Sequence, residues 1–225
     1  MFRRLMLGGV VALFGHCVAA QATIMDVTYT GTIFNDFSTD GGGMFGTAGA
    51  SLVGKNISVS YFYDTALAPI VNNPNPVFNQ TISGAATAIQ ITINGITQTL
   101  TSFTSSLALN FHTGTQSRAQ EEASFDNTGL HTLSMSLTDN VNGGIPLSLT
   151  GAFDITSLTT GTGFFRLANG TQALFQPTHV TAVCCCCSGG FHLGDDDPRF
   201  PWRWFHGVSP EAQWNCSRGS LIFTA

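Results

Sequence analysis

Charged residues are scarce in this sequence. Lysine and arginine number 8, aspartate and glutamate number 13, and together they make up 9% of the 225 residues. Most proteins of the cytosol cover their surface with many more charges. The formal net charge is −5 and no basic cluster is present, so the chain lacks the positive surface that neutralises nucleic-acid phosphates. We therefore predict no nucleic-acid partner.

Cysteine is missing from residues 18–183. A disulfide framework is thereby excluded for this part of the chain. Its stability must come from the burial of apolar side chains, which about 160 residues can provide. The six cysteines of the chain lie outside this range, at Cys17, Cys184, Cys185, Cys186, Cys187 and Cys216.

Helical periodicity is also missing from residues 23–183, and the alternation of β-strands takes its place. Residues 89–100 alternate isoleucine with polar residues around Asn94-Gly95, the dipeptide of a type I′ hairpin turn. Short segments of this kind recur at intervals of about 8–15 residues. They predict an all-β fold, an antiparallel β-sandwich or jelly roll of about ten strands, followed by an irregular or disordered C-terminal tail.

The structures of three further segments of residues 23–183 are predicted from their charges, their apolar spacing and a proline. Residues 112–127 hold the only charged cluster and are expected to form a loop or one or two helical turns. Residues 147–155 are expected to form one strand, because Leu147, Leu149, Phe153 and Ile155 are spaced to point one way. The last strand, from Ala173 to Val183, is expected to kink at Pro177.

The N-terminus has the three parts of a secretory signal peptide. Two arginines in Met1–Arg4 precede an apolar run from Leu5 to Val18, and Ala20-Gln21-Ala22 has the small-x-small form of a cleavage site. The apolar run is short for a membrane span. We therefore expect residues 1–22 to be removed by signal peptidase, leaving a β-sandwich domain at residues 23–183 and the tail at residues 184–225.

The tail resembles a shifted reading of a known sorting signal. With suitable synonymous codons, Leu193–Phe200 read one base later gives Trp-Ala-Met-Met-Ile-Leu-Gly-Phe, and Gly190–Leu193 gives Ala-Ser-Thr-Trp. This reading resembles the C-terminal tail of bacterial PEP-CTERM proteins, although a Pro-Glu-Pro motif is not recovered from residues 184–188. The segments Val27–Thr32, Tyr61–Thr65 and Phe175–Val183 resemble the ectodomains of that family.

The resemblance implies export by a Gram-negative bacterium. It also implies processing by an exosortase where the tail is intact, and association with exopolysaccharide. The expected protein is non-enzymatic and acts at the cell envelope or in the extracellular matrix. The alternative is a secreted carbohydrate-binding module, in which Tyr29, Tyr61 and Tyr63, with Phe62 beside them, line a glycan-binding sheet face.

Other chemical sites have weaker patterns. Asp36 and Asp40, with Asn35 and Asp64 nearby, are candidate oxygen ligands for Ca²⁺, but their spacing fits no EF-hand. Residues 41–46 satisfy G-x-G-x-x-G without the following helix that a dinucleotide site requires. We therefore predict no cofactor.

Catalytic groupings are equally incomplete. A hydrolase triad could draw on three histidines and two aspartates, but no G-x-S-x-G or H-E-x-x-H motif is present. Glu121-Glu122 with Asp126 offers paired carboxylates, and the tail cysteines offer zinc ligands without C-x-x-C spacing. We expect none of these groups to be catalytic. The histidines and aspartates in question are His112, His131, His179, Asp126 and Asp154.

Overall fold

A computed structural model of the chain describes residues 23–73, 79–113, 115–139, 144–156 and 160–185, together with 216–217 and 220–221. The expected signal peptide, and all of the expected tail beyond Cys185 except those two short pairs, lie outside the described residues. Within the described ranges no helix is long and apolar enough to cross a membrane.

All regular elements in these ranges are β-strands. The last long strand runs two residues beyond the predicted domain end at Val183. The strands are β1 (Ile24–Ile33), β2 (Thr39–Asp40), β3 (Ala50–Ser51), β4 (Asn56–Asp64), β5 (Val71–Asn73), β6 (Asn79–Ser83), β7 (Ala86–Ile93), β8 (Ile96–Leu100), β9 (Ser105–Thr113), β10 (Gln116–Ser124), β11 (Thr132–Asp139), β12 (Phe153–Ile155), β13 (Thr160–Arg166), β14 (Thr171–Cys185), β15 (Cys216–Ser217) and β16 (Ser220–Leu221).

Eleven strands form one continuous antiparallel path in the order β5-β6-β9-β10-β11-β13-β14-β1-β4-β7-β8. The prediction of an all-β antiparallel fold is thereby confirmed, and the sheet curls as a half-barrel. β2 and β12 pair with β14 beside this path, β3 pairs with β2, and β15 pairs only with β16.

Side-chain alternation gives the sheet an apolar inner face. In β4, Ile57, Val59, Tyr61 and Tyr63 are buried while the residues between them are half-buried. β7 and β11 follow the same alternation, with Ile89, Ile91 and Ile93 and with Leu133, Met135 and Leu137 turned inward. Successive side chains of a strand point to opposite faces, so these residues form one core on the concave side.

The curl of the sheet brings distant strands into contact. The Tyr29 hydroxyl on β1 donates a hydrogen bond to the Glu121 carboxylate on β10. β1 and β10 are four places apart in the strand order, which is about 19 Å along a flat sheet. Two side chains cannot bridge that distance, so the contact requires the inner faces of β1 and β10 to face each other.

The predicted hairpin around Asn94-Gly95 is confirmed. β7 and β8 pair from Ile93–Ile96 to Ile89–Leu100. Asn94 has φ 53° and Gly95 has φ 80°, the two positive values that a type I′ turn requires. This turn fixes the register, and with it the inward side of every residue in the hairpin.

The predicted loop or helical turn at residues 112–127 is wrong for most of its length. Residues 116–124 form β10, a central strand between β9 and β11. Ser117, Ala119, Glu121 and Ala123 point inward and are buried. The inward positions carry small side chains or a glutamate in place of large apolar ones, so the usual apolar alternation of a strand was not visible.

The predicted strand at residues 147–155 is also wrong in its first half. Only Phe153–Ile155 is a strand, and residues 144–151 cross the concave side as a loop that we call the strap. Side chains of the inner face hold its backbone. Ser117 Oγ accepts from Ile145 N at 3.0 Å, and Asn110 Nδ2 donates to Pro146 O at 3.1 Å.

Further contacts complete the attachment of the strap. The Gln80 side-chain oxygen accepts from Leu149 N at 3.0 Å, and the Tyr63 hydroxyl donates to Leu149 O. His112 Nε2 lies 2.7 Å from Ile145 O. Ile145 and Leu149 themselves are buried, so the strap adds two apolar side chains to the core.

The irregularity expected at Pro177 is a shift of register between β14 and β1. Thr30 pairs with His179 and Gly31 pairs with Pro177, which leaves one extra residue on β14. Such a bulge accommodates a proline inside a sheet. A Cβ on Gly31 would lie 2.0 Å from the Gln176 carbonyl oxygen, so the close approach of the two strands requires glycine.

Candidate functional site

Glu121 is a buried acidic residue on the inner face of β10. Its side chain is 1% exposed, and the Tyr29 hydroxyl donates to its Oε2 atom. Burial raises the pKa of Glu121 to about 8, an effect that the hydrogen bond from Tyr29 only partly opposes. Glu121 is therefore mostly a neutral acid at neutral pH.

Three tyrosines surround this carboxyl group. Burial also raises the pKa of Tyr29, Tyr61 and Tyr63, so all three remain neutral. Tyr61 donates from its hydroxyl to Glu122 O at 3.1 Å. The three hydroxyl groups thus each bond to a group on β10 or on the strap. They join β1 and β4 to the opposite side of the core.

The same tyrosines were predicted as candidates for a glycan-binding face. Tyr29 and Tyr61 are 0% exposed and Tyr63 is 2% exposed, and Phe62 between the last two is half-buried. Their inward orientation follows from the alternation that also buries Val59. In this conformation none of the three rings is accessible to a ligand outside the protein.

The predicted Ca²⁺ ligand Asp40 has its oxygens occupied by the protein. Asp40 is 0% exposed, and its Oδ1 accepts from Met44 N at 2.7 Å and from Thr171 Oγ1 at 2.9 Å. Its Oδ2 accepts from Phe45 N at 2.7 Å. Asp40 is therefore the anchor of the glycine-rich loop 41–49.

Asp36, the other predicted Ca²⁺ ligand, is exposed in the turn before β2. Over the described ranges no group of three or more histidine, cysteine, aspartate or glutamate side chains is placed to hold a metal ion. The structure thus gives Asp36 and Asp40 different environments, one in solvent and one in the core.

Four of the histidines and aspartates predicted as triad candidates form two pairs. His131 Nδ1 contacts Asp126, and His179 Nε2 lies 2.6 Å from Asp154 Oδ1. Thr128 also bonds to Asp126, and the hydrogen bonds of this carboxylate lower its pKa. No described serine hydroxyl bonds to either imidazole. Each pair therefore joins neighbouring chain segments, the 126–131 turn in one case and β12 to β14 in the other.

A shallow depression of about 620 Å³ lies on the outer side of β14, β1, β4 and β7. Its lining is uncharged and rich in hydroxyl and amide groups. We call it the outer groove. It is lined by Thr30, Gly31, Thr32, Asn56, Ile57, Ser58, Thr92, Asn94, Gly95 and Thr178.

The outer groove follows directly from the strand alternation. When Tyr29 and Val59 turn inward, Thr30 on β1 and Ser58 on β4 must turn outward on neighbouring strands. Thr92 continues the row on β7, since it pairs with Ser58. Gly31, the next residue of β1 after Thr30, also lines the groove.

The outer groove was not predicted from the sequence. The threonines and serines were read as the polar half of the alternation, and the signal that could have found them is their repetition on adjacent strands. Their hydroxyl groups both donate and accept hydrogen bonds, and the Asn56 and Asn94 amides do the same. A polyhydroxylated ligand needs this combination.

No protein-family model, curated protein or solved structure matches the chain. The function must therefore be argued from its own residues, and the outer groove is the feature with the clearest chemical character.

Proposed function

We propose that the chain is an exported, non-enzymatic protein of the cell envelope or extracellular matrix, of PEP-CTERM type, which associates with polysaccharide. The observation that carries the polysaccharide part is the uncharged, hydroxyl-lined outer groove. Sugar hydroxyls are matched by threonine, serine and asparagine side chains without any requirement for charge. The signal-peptide pattern and the scarcity of charge support the exported part.

We infer that the curled sheet packs as an open sandwich. One flank contains β1, β4 and β7, and the other contains β9, β10 and β11. The hydrogen bond from Tyr61 to Glu122 O and the contact of Tyr29 with Glu121 join the inner sides of these flanks. Contacts between two inner faces support a sandwich.

The alternative is a secreted carbohydrate-binding module. The tyrosines do not support it in this conformation, because their rings lie in the core. The outer groove supports it equally well, since a module and a matrix protein differ in purpose and not in the chemistry of sugar contact. A module would bind one defined oligosaccharide in a glycan array, whereas a matrix protein would bind long polymers and little else.

The groove is tested by removing its hydroxyls. We expect the triple variant Thr30→Val, Ser58→Ala, Thr92→Val to bind extracted polysaccharide about 100-fold more weakly, because each lost hydrogen bond removes about 1 kcal/mol. Affinity electrophoresis or microcalorimetry with exopolysaccharide from the host bacterium measures this change.

Thr162→Val is the matched control. Thr162 is exposed on β13 outside the outer groove, so this variant removes one hydroxyl elsewhere on the sheet. It should bind as the unaltered protein does. Equal weakening in both proteins, or no binding by the unaltered protein, would contradict the proposal. Turnover of polysaccharide or ester substrates would overturn its non-enzymatic part.

The sorting part of the proposal is tested at the level of the gene. We expect resequencing of the DNA for residues 180–225 and its continuation to reveal a one-base correction that restores Pro-Glu-Pro, an apolar helix and terminal arginines. If the printed frame stands and the shifted frame soon stops, the PEP-CTERM assignment fails. The groove experiment is independent of that result.

A further inference from the structure

β8 forms one end of the strand path and pairs with β7 alone among the described strands. Ile93 and Ile96 flank the Asn94-Gly95 turn and form a backbone hydrogen-bonded pair. Such pairs recur at every second residue of the hairpin. The backbone groups of Gln98 therefore point to β7. Those of Thr97 and Thr99 point away from the sheet, where they can pair with another strand.

β8 itself lacks the sequence features that usually protect an edge strand, and the loop 41–49 contacts it through the Gln98 side chain, which donates to Met44 O at 2.8 Å. Natural edge strands carry lysine, proline or a bulge that discourages the addition of another strand. β8 has the sequence Ile-Thr-Gln-Thr-Leu and pairs with β7 in regular register. No aspartate, glutamate, lysine or arginine occurs between residues 65 and 111. β7 and β8 therefore carry no charged side chains, and the two facing strands of a pair would not repel each other.

The edge is also complementary to itself. Read in either direction, β8 is an apolar residue, a threonine, a glutamine, a threonine and an apolar residue. We propose that two copies of this chain pair antiparallel through β8, about a two-fold axis at Gln98. The structure favours a second copy over a different partner because only a second copy presents the same sequence reversed.

The backbone hydrogen bonds of this dimer can form without any change in either strand. An axis at Gln98 places Thr97 opposite Thr99 of the partner subunit, so the backbone groups that point outward meet in two hydrogen-bonded pairs. The two copies of Gln98 form the non-hydrogen-bonded pair between them. A register displaced by one residue would place outward groups opposite inward ones, so this register is selected by the backbone.

Apolar burial favours the same register. Ile96 and Leu100 lie on the inner side of the hairpin, opposite Ile93 and Ile89. Ile96 remains 40% exposed at the rim of the core, and Leu100 is only partly buried. In the dimer Ile96 meets Leu100 of the partner subunit, so both rims are covered and the two inner faces become continuous.

The other end of the path does not offer the same pairing. β5 has three residues, Val71–Asn73, and Pro74 and Pro76 follow it in the sequence. Proline cannot donate to a ladder, so extension along that edge is blocked. Pairing through β8 alone closes after two copies and gives a two-fold dimer, not a fibre.

The dimer is tested by sedimentation of the purified full chain over a wide concentration range. Five residues from each copy make a contact below the standard interface size, so we expect a dissociation constant of about 10 µM or weaker. Thr97→Pro removes an outward N–H and should leave the protein folded but monomeric, because β7 does not use that group. Thr99→Lys should have the same effect through repulsion across the axis.

Ser136→Lys is the matched control for the added charge. Ser136 lies on the outer side of β11 in the middle of the sheet, and this variant should associate like the unaltered protein. A monomer at every concentration would overturn the proposal. So would association that survives both Thr97→Pro and Thr99→Lys, since the contact would then lie elsewhere.

A cross-link tests the register. Gln98→Cys places two thiols opposite each other at a non-hydrogen-bonded pair, where the Cβ atoms are close enough for a disulfide. Oxidation should give a covalent dimer, and peptide mapping should find the link between the two introduced thiols. Thr99→Cys is the control, because Thr97 of the partner subunit lies opposite it. Equal linkage in the two variants would overturn the axis at Gln98.

Discussion

Glu121→Gln is expected to remove most of the fall in stability that the protein undergoes between mildly acidic and mildly alkaline pH. The carboxyl group has a pKa near 4.5 in the unfolded chain, and burial raises it to about 8 in the folded protein. Between those values the folded state holds a proton that the unfolded state has released. The free energy of unfolding therefore falls by about 1.4 kcal/mol for each pH unit in this window.

The sign of the effect is opposite to that of a salt-bridged carboxylate. The contribution of Glu121 is fully present below pH 4.5 and is lost as the pH rises through about 8. The whole shift corresponds to roughly 5 kcal/mol, a ceiling that opening of the strands to water would reduce. Glutamine has the same shape and accepts the Tyr29 hydroxyl, but it has no proton to lose.

Urea unfolding at about pH 5 and about pH 8 measures the difference. Glu122→Gln is the control, because Glu122 lies next to Glu121 on β10 but is half-buried on the opposite face. The unaltered protein and the Glu122 variant should lose stability together as the pH rises, while the Glu121 variant changes little. Parallel pH profiles for all three proteins would refute the assignment. Asp26, a second buried carboxyl group whose pKa burial raises, is present in all three proteins.

Gly163→Ala is expected to destabilise the protein by about 3 kcal/mol, the upper end of the usual effect of overpacking a core. Gly163 lies on β13 opposite Phe175, whose ring is 0% exposed and covers the glycine. A Cβ on Gly163 would lie 2.1 Å from Cζ of Phe175, and atoms cannot approach so closely. The ring must leave its place in a packed core.

Thermal unfolding should show this as a fall in the midpoint of about 10 °C for a domain of this size. Gly46→Ala is the matched control, since a Cβ there would have no neighbour within 4 Å. The double variant Gly163→Ala, Phe175→Leu should lose less stability than the sum of the two single variants, because the shorter side chain leaves room for the methyl group. Strict additivity would show that the ring is not the cause.

The sequence predicted the strands whose inward positions carry large apolar side chains. The segment from Ile89 to Leu100 is the clearest case, because its turn dipeptide and its alternation both point to one hairpin. β10 was missed because its inward positions are Ser117, Ala119, Glu121 and Ala123. Burial of a glutamate depends on the Tyr29 hydroxyl, which is 92 residues away in the chain. Local sequence does not contain that information.

The strap shows the opposite error. Its leucines have the spacing of a strand, yet its backbone bonds to Asn110, Ser117 and Gln80 from distant strands. The site predictions had a similar limit. Alternation groups Tyr29, Tyr61 and Tyr63 on one side of the sheet, but it does not say which side is covered. The outer groove is a property of several adjacent strands, so it emerges only when the register is known.

The position of β1 in the sheet determines when the protein can finish folding. β1 is the first described strand in the sequence, and its neighbour β14 is the last in the sequence among the strands of the path. Their pairing therefore joins residues about 150 positions apart. In the strand order, β4, β7 and β8 lie on one side of this pair and β13 and the strands beyond it lie on the other, so the sheet cannot close before residues 171–185 have been synthesised. Contacts of such long range form slowly, so we expect the pairing of β1 with β14 to be a late step of folding.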